Sequence, residues 1–536
     1  MIAQFRTAVD ALVGLYELGI FLPGYFRKTL SVAEAKLEIQ SYLACRNETF
    51  LELVRSRIYA APGNPYLRLL RRADCDFSDF RSHVLNHGLE ATLERLAREG
   101  VYLTSDEFKG KREVIRGVES FRVSPAAFLR PDDRPGFFAQ SSGSRGSPTR
   151  TRVAFDWHLL RAAPIGVFLH AHGLYSSAYA YYDSVLSLTG GVQTMLACHH
   201  VGMPIERWFA RETPVRGALQ RYRHRLTNSM TIAAARWFGH GLPRPEPLDP
   251  TDVGPVLRWA LEQRRRGRVV CIDTVANNAV RIAAAASAAG ESLEDVKFFV
   301  HGEPMTDAKR DVIERASASY AVRYSSEPSF QLGVGCARPA YTDEVHVNQH
   351  LYAVIQQGFP LADPYAPSEA LLFTTLHPLA PQLLLNTQNG DYGALEQRNC
   401  GCALEETGLA LHLYGIRSFE KFTGQGMNYY FGDLLELIEK KLPAEFGGGP
   451  GDYQLTEEEE AGRTCLTLKV DPSIAALDED KVMARLRAEL GSGSWGKEFQ
   501  ARVWEQAGAL KIRRTKPESN ARGKILPLQV QNKAAR

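Results

Sequence analysis

Gln140-Ser141-Ser142-Gly143-Ser144-Arg145-Gly146-Ser147-Pro148-Thr149 is the stretch on which the reading of this chain turns, with Phe137-Phe138 before it and Arg150-Thr151 after it. The hydroxyls of Ser141, Ser142, Ser144 and Ser147, and the backbone N–H groups that Gly143 and Gly146 leave open to close approach, suit a polyphosphate that must be gripped while it changes shape. A plain surface loop has the same composition, so the stretch decides nothing until the rest of the chain is read. It is not a Walker loop, because the G-x-x-x-x-G-K-[ST] spacing and its lysine are missing. No G-x-S-x-G elbow and no H-E-x-x-H helix occurs, which leaves hydrolase and zincin readings without their key residues.

Bulk properties narrow the class. A chain of 536 residues with 44% hydrophobic content can bury more than one core. Lys and Arg number 64 against 61 Asp and Glu, a net charge of +3, so bulk charge calls for neither a nucleic acid nor an acidic membrane. Two local basic clusters, Arg264-Arg265-Arg266-Gly267-Arg268 and Arg221-Tyr222-Arg223-His224-Arg225, read as solvated helix faces before they read as polyanion sites. The first residues, Met1 to Asp10, carry charges inside their apolar pattern, which predicts neither a signal peptide nor a membrane span. Eight scattered cysteines fit a reduced, cytoplasmic protein rather than a disulfide framework.

Periodicity sets the organisation. Residues 1–130 are mostly helical, as where Leu89, Leu93 and Leu96 share one face ahead of Gly100, and read as a lead-in packed on the main domain. From 131 to 417 strand-like and helical runs alternate. Val269 to Asp273 precedes an alanine-rich helix at 277–289, and Val296 to Val300 precedes a helix at 306–317. That alternation predicts an α/β sheet with covering helices and a ligand at its strand ends. Beyond the breaker Gly447-Gly448-Gly449-Pro450-Gly451, a strand at 464–470, a helix at 478–490 and more strand around 499–513 predict a small α+β domain over 418–536.

Four motifs then fall in one order. Ser141 to Pro148 resembles the S-S-G-T-T-G-x-P phosphate loop of the adenylate-forming superfamily of acyl-CoA synthetases, in its phenylacetate-CoA ligase-like branch, with Ser144-Arg145 in place of the threonine pair. Gly302-Glu303-Pro304-Met305-Thr306 resembles the family's G-E-P-L-[ST], and Arg323-Tyr324-Ser325-Ser326-Glu327 its Y-G-[ST]-T-E, with Arg323 in the usual tyrosine slot. Asn389-Gly390-Asp391 is similar to T-G-D, and Tyr414-Gly415-Ile416-Arg417-Ser418 to G-R-[ST]-x-[DE] with one residue inserted. Arg522-Gly523-Lys524-Ile525-Leu526 resembles the C-terminal G-K-[IL] signature. The resemblance covers roughly residues 85 to 530.

The resemblance implies a role for each matched position. Ser141, Ser142, Gly143, Ser144 and Gly146 would grip the ATP phosphates, and Gly302, Glu303, Pro304, Tyr324 and Ser326 would line the nucleotide pocket. Glu327 would bind magnesium, as a hard carboxylate can. Asp391 would accept hydrogen bonds from both ribose hydroxyls, and Arg417 would contact the ribose or phosphate near a hinge at Glu420 or Lys421. Lys524 would be the catalytic cation on the transferring phosphorus. His199 and His200 would border the acid pocket and thiol tunnel, against the commoner role of core or surface histidines. Phe168, Tyr181 and Tyr182 read as core aromatics first and as acyl-pocket lining second. Cys336, His346, Cys400 and Cys402 follow Glu327 and Asp391 in the chain, where some proteins of that branch bind zinc. Three thiolates and an imidazole would close a structural tetrahedron, against free thiols on neighbouring strands.

The implied activity is ATP-dependent formation of an acyl adenylate from a carboxylic acid, an aromatic one by resemblance, followed by transfer to coenzyme A after the C-terminal domain rotates about a hinge. A carrier-protein thiol or an amine is the alternative acceptor. A non-catalytic nucleotide-binding partner protein is the alternative of a different class. The oligomeric state stays open, a homodimer included.

Overall fold

The computed structural model describes residues 20–21, 29–131, 134–140, 150–184, 191–211, 229, 232–233, 236–237, 241–249, 252–326, 330–356, 370–418, 421–424, 427–474, 477–491, 495–518 and 527–530. Among them the helices Val32–Ala44, Arg46–Val54, Pro65–Arg72, Phe77–His87 and Leu89–Arg98 come first. Leu89, Leu93 and Leu96 are all buried, as their spacing predicts, and share a core with Ala353, Ile355 and Leu372 of the main sheet. Two hairpins follow: β1 (Val114–Arg116) with β2 (Glu119–Phe121), and β3 (Gly136–Gln140) with β4 (Arg150–Ala154). Gln140 pairs with Arg150, so the Ser/Gly stretch joins the two strands of the second hairpin.

A 12-stranded sheet forms the body. Strands β5 (Ala178–Ser184), β6 (Arg207–Arg211), β7 (Pro245–Leu248), β8 (Val270–Val275), β9 (Val296–His301) and β10 (Ser319–Ser326) run parallel. β11 (Phe330–Gly335), β12 (Val345–Val347), β13 (Tyr352–Gln356), β14 (Ala370–Thr375), β15 (Thr387–Gln397) and β16 (Leu411–Ser418) are antiparallel to their neighbours. The order across the sheet is β13-β14-β15-β16-β12-β11-β10-β9-β8-β5-β6-β7. In the parallel half the chain therefore builds outward from β5 to β7, then returns to the other side of β5 with β8 and proceeds to β10. Strand order reverses between β5 and β8, and the crevice outside the carboxyl ends of such strands is where open α/β sheets hold ligands.

The physical reason for the parallel half is visible in β8, Val-Cys-Ile-Asp-Thr-Val, every residue of which is buried. Such a strand needs cover on both faces. One face carries the helices Gly254–Arg265, Ala276–Ala288 and Asp307–Arg315, whose small residues Ala276, Ala279, Ala283 and Ala286 let the central helix lie close. Helices Ala162–Ala171 and Gly191–His200 cover the other. Phe168 stacks on Phe299 at 4.1 Å, and Tyr181 and Tyr182 are buried on opposite faces of β5, in line with their reading as core aromatics. Arg265 and Arg266 sit on the solvated side of their helix, paired with Glu291 and Glu262.

After the short hairpin β17 (Lys421–Gly424) and β18 (Met427–Tyr430) comes a four-stranded sheet in the order β21-β20-β19-β22. Its strands are β19 (Tyr453–Glu460), β20 (Arg463–Val470), β21 (Leu510–Arg514) and β22 (Leu528–Val530), with helices Glu479–Leu490 and Trp495–Gln506. They close on a hydrophobic cluster of their own that includes Leu437, Leu466, Leu468, Leu486 and Trp504. One expectation is corrected: residues 499–506 are helical, not strand, and strand begins at Leu510. Val503 and Trp504 look strand-like by type, yet Ala501 and Trp504 are buried at a three-residue spacing, so packing on the sheet sets the period. No described helix is long and apolar enough to cross a membrane.

Candidate functional site

Ser141, Ser142, Gly143, Ser144 and Gly146, Glu327 and Lys524 lie outside the described residues, as do Arg145 and the 221–225 cluster. Ser326 ends β10. Of the remaining expected positions, Gly302, Glu303, Pro304 and Tyr324 lie at the carboxyl ends of β9 and β10, with Asp391 on β15 and Arg417 on β16; His199 and His200 instead end the helix that runs back to the amino end of β6, away from those strand ends.

β9 ends at His301, and Gly302, with φ +74°, turns the chain into the helix capped by Thr306. That left-handed conformation is one an L side chain adopts at a cost, which is why glycine stands there. The turn brings Glu303 back to the adjacent helix Ala276–Ala288, where its Oε2 accepts the N–H of Asn277 at 2.7 Å. A carboxylate on the first turn of a helix satisfies an otherwise unpartnered N–H and meets the positive end of the dipole. Pro304 gives its carbonyl to Lys309 Nζ at 2.8 Å.

Tyr324 and Asp391 meet. The phenol donates to Asp391 Oδ2 at 2.9 Å, while Asn389 Nδ2 donates to the Tyr324 oxygen at 2.8 Å and to Asp391 Oδ2 at 3.1 Å. Asn389 Oδ1 in turn accepts the N–H of Asp391 at 3.0 Å. Burial and then the Asp391 charge hold the Tyr324 phenol well above its ordinary range, so it remains a donor. Two hydrogen bonds thus orient the carboxylate that the resemblance assigns to the ribose.

Arg417 is drawn to a protein partner: its Nη1 lies 2.8 Å from Asp343 Oδ2, and Asp343 also accepts the N–H groups of Gly415 and Ile416. The inserted Ile416 is accommodated by that three-pronged contact. His199 and His200 end the helix Gly191–His200, where the carbonyl of His200 accepts Leu30 N–H at 2.7 Å and the residue itself is buried.

Arg323 lies on the opposite face of β10 from Tyr324. Its Nη2 is 3.2 Å from Asp273 Oδ1 on β8, which is also 3.1 Å from His301 Nε2, and Asp273 Oδ2 accepts from the Tyr179 hydroxyl at 3.2 Å. Burial alone would raise the Asp273 carboxyl, but Arg323, then His301 and Tyr179, outweigh it and hold it below the ordinary value. Sequence reasoning gave Asp273 no role; the available signal was an aspartate directly after the apolar run Val269 to Ile272, in the middle of a strand.

A second cluster is built by three segments. Cys336 follows β11, His346 is on β12, and Cys400 and Cys402 lie between β15 and β16. Their ligand atoms all fall within 4.8 Å of one another. His346 Nδ1 is fixed 2.6 Å from the carbonyl of Leu409, which turns Nε2 toward Cys402 Sγ at 3.2 Å and Cys400 Sγ at 3.6 Å. Gly401, at φ +70°, bends the Cys-Gly-Cys segment so that both sulfurs face inward. Backbone N–H groups of Arg338 and Cys402 donate to Cys336 and Cys400 sulfurs at 3.3 and 3.4 Å.

Hydrogen bonding from Cys336, then from His346, holds the Cys402 thiol well below its ordinary value, while that contact and burial push Cys336 up. Around this set, Glu344 Oε1 pairs with His412 Nδ1 at 2.5 Å and with Arg398, whose Nη2 is also 3.9 Å from Cys336 Sγ. The His412 ring lies 4.1 Å from that of His346. Cys336, Glu344 and His412 form an overlapping group of potential ligands.

No family model and no curated protein matches the sequence. Among solved structures, the chain is similar to 2-hydroxyisobutyryl-CoA ligase in complex with 2-HIB-AMP and CoA, at 15% identity over 94% of this chain and 92% of that one, with a TM-score of 0.48. It is also similar to an acyl-CoA synthetase (AMP-forming)/AMP-acid ligase II-like protein from Dyadobacter fermentans, at 13% identity over 73% and 88% and a TM-score of 0.29. A third is McyG A-PCP with phenylalanyl-adenylate, at 11% identity over 82% and 73% and a TM-score of 0.34. These descriptions name acid adenylates or AMP-forming ligases.

Proposed function

We propose that this chain activates a carboxylic acid with ATP and passes the acyl group to a thiol. The observation that carries the reading is the Tyr324–Asn389–Asp391 arrangement beside the Gly302–Glu303 turn, at the sheet end where ligands bind. Those are the positions that the ordered motifs assign to a nucleotide.

In the first step a carboxylate oxygen of the acid attacks the α-phosphorus of ATP, the bond to the bridging oxygen breaks, and pyrophosphate leaves. Asp391, oriented by Tyr324 and Asn389, accepts the ribose hydroxyls. The Ser141 to Gly146 stretch holds the phosphates, with Glu327 as the magnesium ligand. Lys524 stabilises the charge that builds on the transferring phosphorus, a contribution of about 10²- to 10³-fold in rate. In the second step a thiol loses its proton, its sulfur attacks the acyl carbon, and AMP leaves. Coenzyme A is the proposed thiol, and rotation of the 418–536 region about Glu420 or Lys421 would exchange the lysine for the incoming nucleophile.

Cys336, His346, Cys400 and Cys402 fit zinc: three soft thiolates and a neutral imidazole converge to the spacing of a closed tetrahedron. Zinc there would supply a structural cross-link between the β11–β12 and β15–β16 segments. Chemistry is not its task, because four protein ligands leave no open position.

Exchange of labelled pyrophosphate into ATP, measured over aryl, fatty and amino acids, tests the reading. Acid-dependent exchange is expected. ATP binding without exchange for any acid would point instead to a non-catalytic nucleotide-binding protein.

A further inference from the structure

The helix Gly191–His200 begins on the sheet face that carries Arg323, and its first turn presents Gln193 and Thr194. Two guanidinium groups reach these adjacent residues. Arg161, at the junction of helices Phe155–Leu160 and Ala162–Ala171, donates from Nη1 to Gln193 Oε1 at 3.2 Å. Arg323 reaches Thr194 Oγ1 from its own Nη1 at 3.5 Å. Asp273, Arg323's partner, pairs in register with Tyr181 across the β5–β8 boundary, where the strand order reverses.

Among the described residues the charges in this cluster do not balance. Arg323 is neutralised by Asp273, and Asp183 on β5 takes the Tyr181 hydroxyl at 3.4 Å. Arg161 has no carboxylate partner among the described residues, and its Nε is buried without an acceptor. Gln193 is only 4% exposed; with its carbonyl committed to Arg161, its Nε2 is a second buried donor without an acceptor. Burial pushes the Arg161 guanidinium down to about 10, Arg323 acting in the same direction and Tyr352 against it. Buried donors are ordinarily satisfied, and a buried cation is ordinarily paired. Here the unsatisfied donors and the surplus positive charge coincide at a helix N-terminus, where N–H groups and the dipole favour an anion.

We propose that Arg161 and Gln193, at the first turn of the helix Gly191–His200, bind a second carboxylate of the acid, so that the substrate is a dicarboxylate. One carboxylate meets ATP at the strand ends, and the other meets the Arg161 guanidinium and the Gln193 amide. This inference rests on the adenylation reading and names the substrate class of that site.

Pyrophosphate exchange with acids matched in skeleton tests it: benzoate against isophthalate and terephthalate, phenylacetate against phenylenediacetate, and hexanoate against adipate. The dicarboxylate of at least one pair is expected to exceed its monocarboxylate in kcat/KM by about tenfold or more, the scale of a charged hydrogen bond. Arg161→Met is expected to raise KM for that dicarboxylate about 30-fold more than for its partner, and Arg161→Lys to restore part of the difference. Wild-type enzyme that uses every monocarboxylate as well as its dicarboxylate would overturn the inference while leaving adenylation intact, whatever the variants do. Equal KM changes for both acids in Arg161→Met would also overturn it, as the mark of a structural arginine. Absence of exchange with any acid would overturn the adenylation reading itself.

Discussion

Asp273 has no solvent exposure, yet it carries three partners, Arg323, His301 and Tyr179. Asp273→Asn keeps the shape and removes the charge, leaving Arg323 buried without its counter-ion. A loss of about 3–5 kcal/mol is expected, the cost of breaking a buried pair, read from the denaturant midpoint at neutral pH. Because the folded carboxyl titrates below the ordinary value of about 4, its stabilisation is present above that pH and is lost as pH falls through and below it. The gap between wild type and Asp273→Asn is therefore expected to narrow in acid; a gap that widens would contradict the assigned direction. For the chemistry, Lys524→Ala is expected to lower pyrophosphate exchange about 10²- to 10³-fold while thiol attack on supplied acyl adenylate survives. Equal loss of both steps would contradict a role confined to adenylation. Tyr324 and Asp391 were singled out from separate motifs, and the structure brings the two into contact, while their part toward a nucleotide belongs to the proposal. Arg323 and Asp273 were not legible as a pair, because separate strands of a parallel sheet bring them together; nor was Arg417 with Asp343, which a local turn decides.

At the scale of elements, the clearest inheritance from sequence is the alternation of β8, β9 and their helices, whose apolar runs are continuous because both faces are covered. Residues 499–506, expected as strand, belong to the helix Trp495–Gln506, whose Ala501 and Trp504 pack inward at a helical spacing. Cys336, His346, Cys400 and Cys402 were grouped from their spacing and from the resemblance, and β12 pairing between β11 and β16 supplies the proximity. Glu344, Arg398 and His412 were not foreseen, since they act through the side chains they touch. About one zinc per chain is expected by metal analysis of the purified protein, and only a substoichiometric trace would remove the proposal. Cys402→Ser is expected to lose the metal and lower the melting temperature. Glu344→Gln is expected to weaken zinc retention about 10- to 100-fold in chelator competition, as loss of an outer-shell partner does. Unchanged retention would limit Glu344 to a pairing role with Arg398.

Across the whole molecule, the 12-stranded body and the four-stranded C-terminal sheet have separate hydrophobic clusters, and among the described residues they meet through polar contacts. Thr306 donates to Glu459 Oε1 at 2.5 Å, and Thr464 N–H reaches Asn277 Oδ1 at 3.3 Å. The same Asn277 gives its N–H to Glu303, so the Gly302–Glu303 turn and the C-terminal sheet share one residue. An interface of this kind suits the proposed rotation, because polar contacts can be exchanged for water with little net cost. The central claim is that an oxygen of the acid attacks the α-phosphorus of ATP. Its most direct test is turnover of a heavy-oxygen-labelled carboxylic acid with ATP and coenzyme A, followed by mass analysis of the products. The account predicts one labelled oxygen in AMP and none in pyrophosphate; label in inorganic phosphate with ADP formed, or no transfer of label at all, would contradict it.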